Sequence, residues 1–404
     1  MKSLNRLLLH ISRQIDESPG FALAIISGLI LWGYARIYLS FLPDAQGMLG
    51  HDWSLGLPAL LNGYFWMLNN SLLEVPWFTP AKCGGFTFFA SEGFYSAASF
   101  LTALVSPLHA VRIAFMLFAA LGFLGFFALA QQRFSMTRSA SLLSATLFLF
   151  NGFFGHRMIV GHFGFHAYML VPLIAWICLR SDRSRMALLV SISLIGLMFA
   201  AMVHAPMLQI LPPVILSLGS ILLLHGLRQG WSFQPWLLLG MGGLWGVGLS
   251  LSKLMAFQGL MSNFPRTYYT LPGIADGMRL LEGAFKSLFW TPSETAMAAM
   301  VNNQFTMARH EWEYSLGPVP LLIFGAWATT KILRVIPNSP VGIAVHEKKH
   351  HPKAGWFAIL LLGLLPTLLN WYSPDWNQLL KQLPYFDTTS NLIRWFIIDI
   401  PLIA

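Results

Sequence analysis

Apolar residues fall along this chain in long runs bounded by charge or by Pro and Gly, at about 21–42, 108–130, 139–153, 165–180, 186–205, 206–226, 235–256, 316–333 and 355–372, with a tenth at 395–404. A helix needs about 20 apolar residues to cross a bilayer. The pattern therefore predicts an all-α polytopic membrane protein, a bundle of about ten transmembrane helices in one domain covering 1–404. The stretch 97–108 is too short to cross and reads as re-entrant or interfacial. The tenth run is also short and carries Asp399 in its middle, so it either docks on other helices or belongs to a longer chain. Between the runs lie a first outer loop at about 43–107, a second at about 257–315, and a cytoplasmic linker at about 334–354. No internal repeat is evident.

Charge sets the orientation. With the N-terminus inside, the segments 1–20, 131–138, 180–185, 225–230 and 331–353 are inner, and they hold 14 of the 25 Lys and Arg residues. Eleven of the 16 acids lie outside: Asp44, Asp52, Glu74, Glu92, Asp276, Glu282, Glu294, Glu311, Glu313, Asp375 and Asp387. The long outer loops are the expected seat of function. Composition agrees with the pattern: 56% of residues are hydrophobic and 10% are charged, against about 25% charged in soluble domains. The basic N-terminus leads into 21–42 with no small-residue cleavage site, so that run is expected to be a retained anchor. The net charge of +9 fits positive-inside bias and contact with anionic membrane lipids. No basic-aromatic module points to nucleic acid. Cys83 and Cys178 fall on opposite sides of the membrane and are not expected to pair.

The first outer loop carries the most chemistry. It runs PDAQGMLGHDWSLGLPALLNGYFWMLNN and places Asp44 and Asp52 just beyond the first span. A helix starting after Asp52, rich in Tyr64, Phe65 and Trp66, suits the headgroup region, and Asp52 then either caps it or serves as an acid or base. Asp44 is the reserve acid, or a boundary turn. In NGFFGHRMIVGHFGFHAYMLVP, His156, Arg157, His162 and His166 are interfacial donors for a phosphate or sugar hydroxyl, or side chains snorkelling at a helix end. His162 and His166 share a face if the segment is helical, and a divalent cation is then possible, although no third ligand lies nearby. His204, Lys253 and Arg266 lie at or near outer span ends and are candidate phosphate contacts. Glu311, Trp312, Glu313 and Tyr314 suit carbohydrate contact, or an aromatic belt. Arg394 is placed to complete a basic cluster.

An acid after span one, an interfacial helix, and alternating short inner and long outer loops resemble the C-type (GT-C) membrane glycosyltransferases. PWFTPAKCGG followed by SEGFYSAASFLTAL is similar to the P-W-x-P, GG-x-P and Y-S-P segment of bacterial multi-spanning members, with Phe86-Thr87 and Ser96-Ala97 standing where proline is usual. The resemblance covers roughly 20–330, and HEWEYSLGPVPL belongs to it. It implies a GT-C-like bundle in the bacterial inner membrane with a cytoplasmic N-terminus. It also implies transfer of a sugar, with inversion, from a polyprenyl-phosphate donor to an outer-face acceptor. Asp52 would then be the general base, Arg266 and Lys253 would hold the donor phosphate, and His162, His204 and Arg394 would assist. No nucleotide-binding glycine loop is present and no cofactor is called for. Two other functions stay open. One is a non-catalytic GT-C-like accessory subunit of a larger membrane complex. The other is a transporter of lipid-linked saccharides, for which 240–248 offers a place to break a span.

Overall fold

Long apolar runs become long helices where nothing interrupts them. The computed structural model describes residues 2–43, 52–71, 74–79, 86–91, 93–182, 184–205, 208–264, 270–302, 309–335, 353–387 and 389–404. Among these the regular structure is helical apart from an isolated bridge between Ile274 and Trp371 and two antiparallel ladders with two residues per strand, Phe78–Thr79 with Phe86–Thr87 and Gly273–Ile274 with Met300–Val301. Four helices are long and apolar enough to cross a membrane: Gly20–Phe41, Pro107–Arg133, Arg185–His204 and Leu211–Gln229. The pair Gln234–Leu249 and Leu251–Asn263, bent by 68°, makes a fifth if it counts as one broken span. Many large apolar side chains on these helices face outward, among them Leu29, Trp32, Leu197 and Leu244. That pattern suits lipid as the solvent.

The expected ten crossings are thus corrected to four or five among the described residues. Three of the missing spans have a local cause. The run 139–153 yields Arg138–Leu149, which stops before Asn151, and Asn151 caps the next helix by accepting from Phe154 N. The run 165–180 splits into a 3-10 segment, Phe163–Leu170, and the eight-residue helix Val171–Cys178. Val319–Val335 and Lys353–Leu369 have 17 described residues each. The tenth run becomes the 3-10 segment Ile393–Ile398 and the short helix Asp399–Ile403. Most of the linker at 334–354 lies outside the described residues.

Pro107–Arg133 is the central post. The segment 163–178 runs alongside it in the same direction. His166 packs on Phe115 with ring centroids 4.1 Å apart, Gly122 abuts Met169, Gly125 abuts Leu173, and Arg133 Nε donates to Trp176 O at 3.3 Å. On the other side of that segment, Arg185–His204 packs along Gln234–Leu249 through small residues. A Cβ on Gly242 would lie 2.4 Å from Ile195 Cγ2, and one on Gly246 would lie 2.6 Å from Phe199 Cβ. Small residues let two apolar helices approach where lipid supplies no hydrophobic drive. At the N-terminus, Asp16 Oδ1 accepts from Ser139 N at 2.8 Å, which ties the helix Lys2–Glu17 to the start of Arg138–Leu149.

The segment 270–302 is folded against this body. Ile274 N donates to Asn370 O at 2.9 Å, and Tyr372 N donates to Ile274 O at 3.1 Å. Asn370 Nδ2 donates to Leu392 O at 3.1 Å. These bonds bring the neighbourhoods of residues 274, 370 and 392 together.

Gly242→Val is expected to lower stability in detergent by about 1–3 kcal/mol, the usual cost of overpacking. Gly240→Ala, where a Cβ meets nothing within 4 Å, is the control and is expected to leave stability unchanged or slightly raised. Thermal unfolding followed by tryptophan fluorescence reads both.

Candidate functional site

The site begins with a nine-residue helix. Gly152–Val160 places Arg157 on its buried side, and the helix ends at Gly161 in the left-handed region, φ +89°. The turn carries the chain back, with His162 N donating to Arg157 O at 2.9 Å. Arg157 Nη1 then donates to His162 Nδ1 at 2.9 Å. A side chain at 161 would collide with the backbone at the start of the helix Trp53–Asn69, since a Cβ there would lie 2.5 Å from Trp53 N. Glycine allows the approach. Asp52 N donates to Val160 O at 3.0 Å, and Trp53 Nε1 donates to Met158 O at 2.9 Å. Trp53 stacks on Phe163. These contacts set Asp52 Oδ2 in hydrogen-bond contact with His162 Nε2.

The hydrogen bonds fix the imidazole's tautomer. A guanidinium can only donate, so Nδ1 of His162 accepts and Nε2 carries the proton that goes to Asp52. Asp52 stands just before the helix Trp53–Asn69, yet its side chain makes no capping bond. The carboxylate is 54% exposed, whereas His162 is 15% exposed. Asp52 therefore offers its second oxygen outward from a braced position.

Behind this pair lies a buried ionic triad. Glu311 accepts from Arg157 Nη2 at 2.7 Å, and from Arg394 Nε at 3.0 Å and Nη2 at 2.6 Å. Arg157 is 0% exposed and Glu311 is 7% exposed. Phe165 lies under both guanidinium groups, at 5.3 Å and 5.4 Å. A second cluster adjoins the first, in which Glu313 Oε2 accepts from Arg309 Nε at 3.3 Å and lies 3.6 Å from His156 Nε2. The segment carrying both acids is held by Gly152 N donating to Ser315 O at 2.8 Å and Tyr314 N donating to Ser287 O at 3.2 Å.

The charges tune one another. Burial would raise the Glu311 carboxyl, but the Arg157 and Arg394 charges hold it well below the usual range. Burial lowers the His162 imidazole to about 4; the nearby arginines push the same way, and Asp52 and Glu311 only partly oppose them. His156 is also pushed down to about 4, by burial first and then by Arg309, His310 and Arg157. Burial raises the Glu313 carboxyl, with Arg309 in partial opposition.

The expected site residues divide into three groups. Asp52, His162, Glu311 and Arg394 come together in one network. Lys253 and His204 meet elsewhere: Lys253 Nζ donates to Phe89 O and lies over the Phe89 ring, and His204 packs on Phe89 and Tyr95. Asp44 and Arg266 lie outside the described residues. Several expectations are corrected. Trp312 and Tyr314 are wholly buried against Phe396 and Phe153, so neither offers a face to a sugar. Glu311 and Glu313 are buried ion-pair partners, not exposed sugar contacts. His162 and His166 share no helical face, because 163–170 is a 3-10 segment and His166 is buried between Phe115 and Phe154. Among the described residues no group of three or more His, Cys, Asp or Glu could hold a metal ion. The role of Arg157 as the anchor of Glu311 was not read from sequence. The signal was an arginine inside an otherwise apolar helix with no local acid. A cavity of about 760 Å³ elsewhere in the bundle is lined by other residues than these.

Comparison with family models, curated proteins and solved structures finds no match to this chain.

Glu311→Ala would leave two guanidinium groups facing each other without their acid. We expect a loss of about 3–5 kcal/mol, the cost of breaking a buried pair, read by thermal unfolding. Acid should act through His156 and His162. Both take up protons near 6.5 when unfolded and near 4 when folded. The unfolded chain thus binds more protons across that window, and stability falls as pH drops from about 6.5 towards 4. A His156→Asn/His162→Asn double variant is expected to flatten that slope in a pH series of unfolding curves.

Proposed function

We propose that this chain is a membrane glycosyltransferase of the C-type, moving a sugar from a polyprenyl-phosphate donor to an acceptor hydroxyl, with Asp52 as general base. One observation carries the reading: a half-exposed carboxylate held against a neutral histidine whose other nitrogen is locked by a buried arginine. The acceptor oxygen attacks the anomeric carbon as the carbon–oxygen bond to phosphate breaks. Its proton passes to the outward oxygen of Asp52, and the polyprenyl phosphate leaves with the bonding pair. Attack opposite the leaving group inverts the centre. General-base assistance of this kind contributes about 10²–10⁴-fold.

The proposed cationic support comes from the triad, since two arginines share one glutamate and leave a net positive charge behind His162. Such a charge steadies a leaving phosphate. Trp53–Asn69 exposes Leu55, Phe65 and Leu68, as suits a helix lying in the headgroup layer beside a lipid-linked donor. The GT-C-like bundle and its inner-membrane setting belong to this same proposal.

The saturation of Glu311 and the burial of Trp312 and Tyr314 favour a second reading, a non-catalytic subunit whose network serves only to hold its loops. A transporter draws less support. Its fold calls for broken spans paired between halves, and among the described residues one bent pair meets the criterion for a broken span.

The test is transfer of label from radiolabelled polyprenyl-phosphate sugars, in liposomes holding the purified chain and a membrane acceptor extract. Wild type should transfer label, and Asp52→Asn should lose about 100-fold or more with unchanged unfolding temperature. Full activity in Asp52→Asn would remove the carboxylate from the mechanism. No transfer from any donor would leave the subunit reading.

A further inference from the structure

The cavity of about 760 Å³ opens between Pro107–Arg133, Val171–Cys178 and Arg185–His204. Its walls are apolar, with Leu117, Leu121, Leu173 and Leu197 among them, and its polar residues are Arg133, Arg180, Ser181 and Asp182. Leu117 to Arg133 covers roughly 24 Å of helix at about 1.5 Å per residue. One leaflet of a bilayer is half of a hydrocarbon core about 30 Å thick, so the wall is long enough for an acyl chain.

The polar mouth carries more positive charge than its acid neutralises. Arg180 Nη2 donates to Asp182 Oδ2 at 3.3 Å, and Nη1 donates to Ala187 O and Ser191 Oγ at 3.1 Å and 3.0 Å. Its Nε is buried without a hydrogen-bond partner. Arg133 donates Nε to Trp176 O and lies 5.5 Å over the Trp176 ring. Among the described residues, its two terminal nitrogens make no hydrogen bond or ion pair. Two guanidinium groups and one carboxylate leave one net positive charge at the end of an apolar groove. The mouth is also remote from Asp52. His166 sits beside Phe115, near the Pro107 end of the central helix, whereas Arg133 closes its other end.

We propose that this groove binds one anionic phospholipid of the surrounding membrane, with an acyl chain along the leucine wall and the phosphate between Arg133 and Arg180. Arginine meets phosphate oxygens in a bidentate fork, and the lipid's single net negative charge matches the surplus at the mouth. A second, independent use of the same groove is not required by anything else in the fold.

The test uses the full-length chain purified in mild detergent, with bound phospholipid quantified by mass spectrometry and phosphatidylglycerol or phosphatidylcholine added back in nanodiscs. Wild type should retain phosphatidylglycerol in preference to phosphatidylcholine. Arg133→Gln should weaken retention about tenfold, as expected for losing a charge-assisted hydrogen bond. Leu197→Trp, which fills the groove without touching the charges, should weaken both lipids. Size-exclusion profiles confirm that each variant is folded, and either variant alone suffices if the other is not. Equal retention of the two lipids by wild type, unchanged phosphatidylglycerol retention in a folded variant, or full displacement of the lipid by inorganic phosphate would each overturn the proposal.

Discussion

The arrangement around Asp52 depends on one buried carboxylate. Glu311 receives two guanidinium groups from chain segments 154 and 83 residues away. A wholly buried arginine is tolerated only with such a partner, since an unpaired charge in a low-dielectric interior is costly. By fixing Arg157, Glu311 fixes which nitrogen of His162 accepts. Burial first, and then the charges of Arg157 and Arg394, keep that imidazole neutral. The exposed acid therefore answers to a buried acid that it does not touch.

Local sequence disclosed the fold where helices run uninterrupted. The readings at 21–42, 108–130, 186–205 and 206–226 correspond to Gly20–Phe41, Pro107–Arg133, Arg185–His204 and Leu211–Gln229. Hydropathy failed at 139–153 and 165–180, because it is blind to backbone punctuation: Asn151 capping falls in the first run, a 3-10 stretch opens the second, and the left-handed Gly161 stands between them. Those interruptions are what bring Arg157 and His162 together.

The candidate site was legible in part for the same reason. Asp52 and His162 stood out as ionisable groups beside apolar sequence, and a glycine turn joins them. Glu311, Trp312, Glu313 and Tyr314 looked like an exposed polar-aromatic loop, since sequence cannot show that Phe153 and Phe396 cover the rings and Arg157 takes the acid. Pairings across such separations leave no local trace. On our proposals the two ends of the central helix serve different chemistry, a braced carboxylate on the side where His166 meets Phe115 and a cationic groove mouth at Arg133.

The most direct test of this account is the protonation of one ring. In ¹⁵N NMR spectra of histidine-labelled protein, assigned with His162→Asn, the account predicts a neutral His162 from pH 5 to 8, with Nε2 protonated and Nδ1 bare. Glu311→Gln should disturb that state without touching the imidazole. A doubly protonated ring at neutral pH, or a proton on Nδ1, would contradict it.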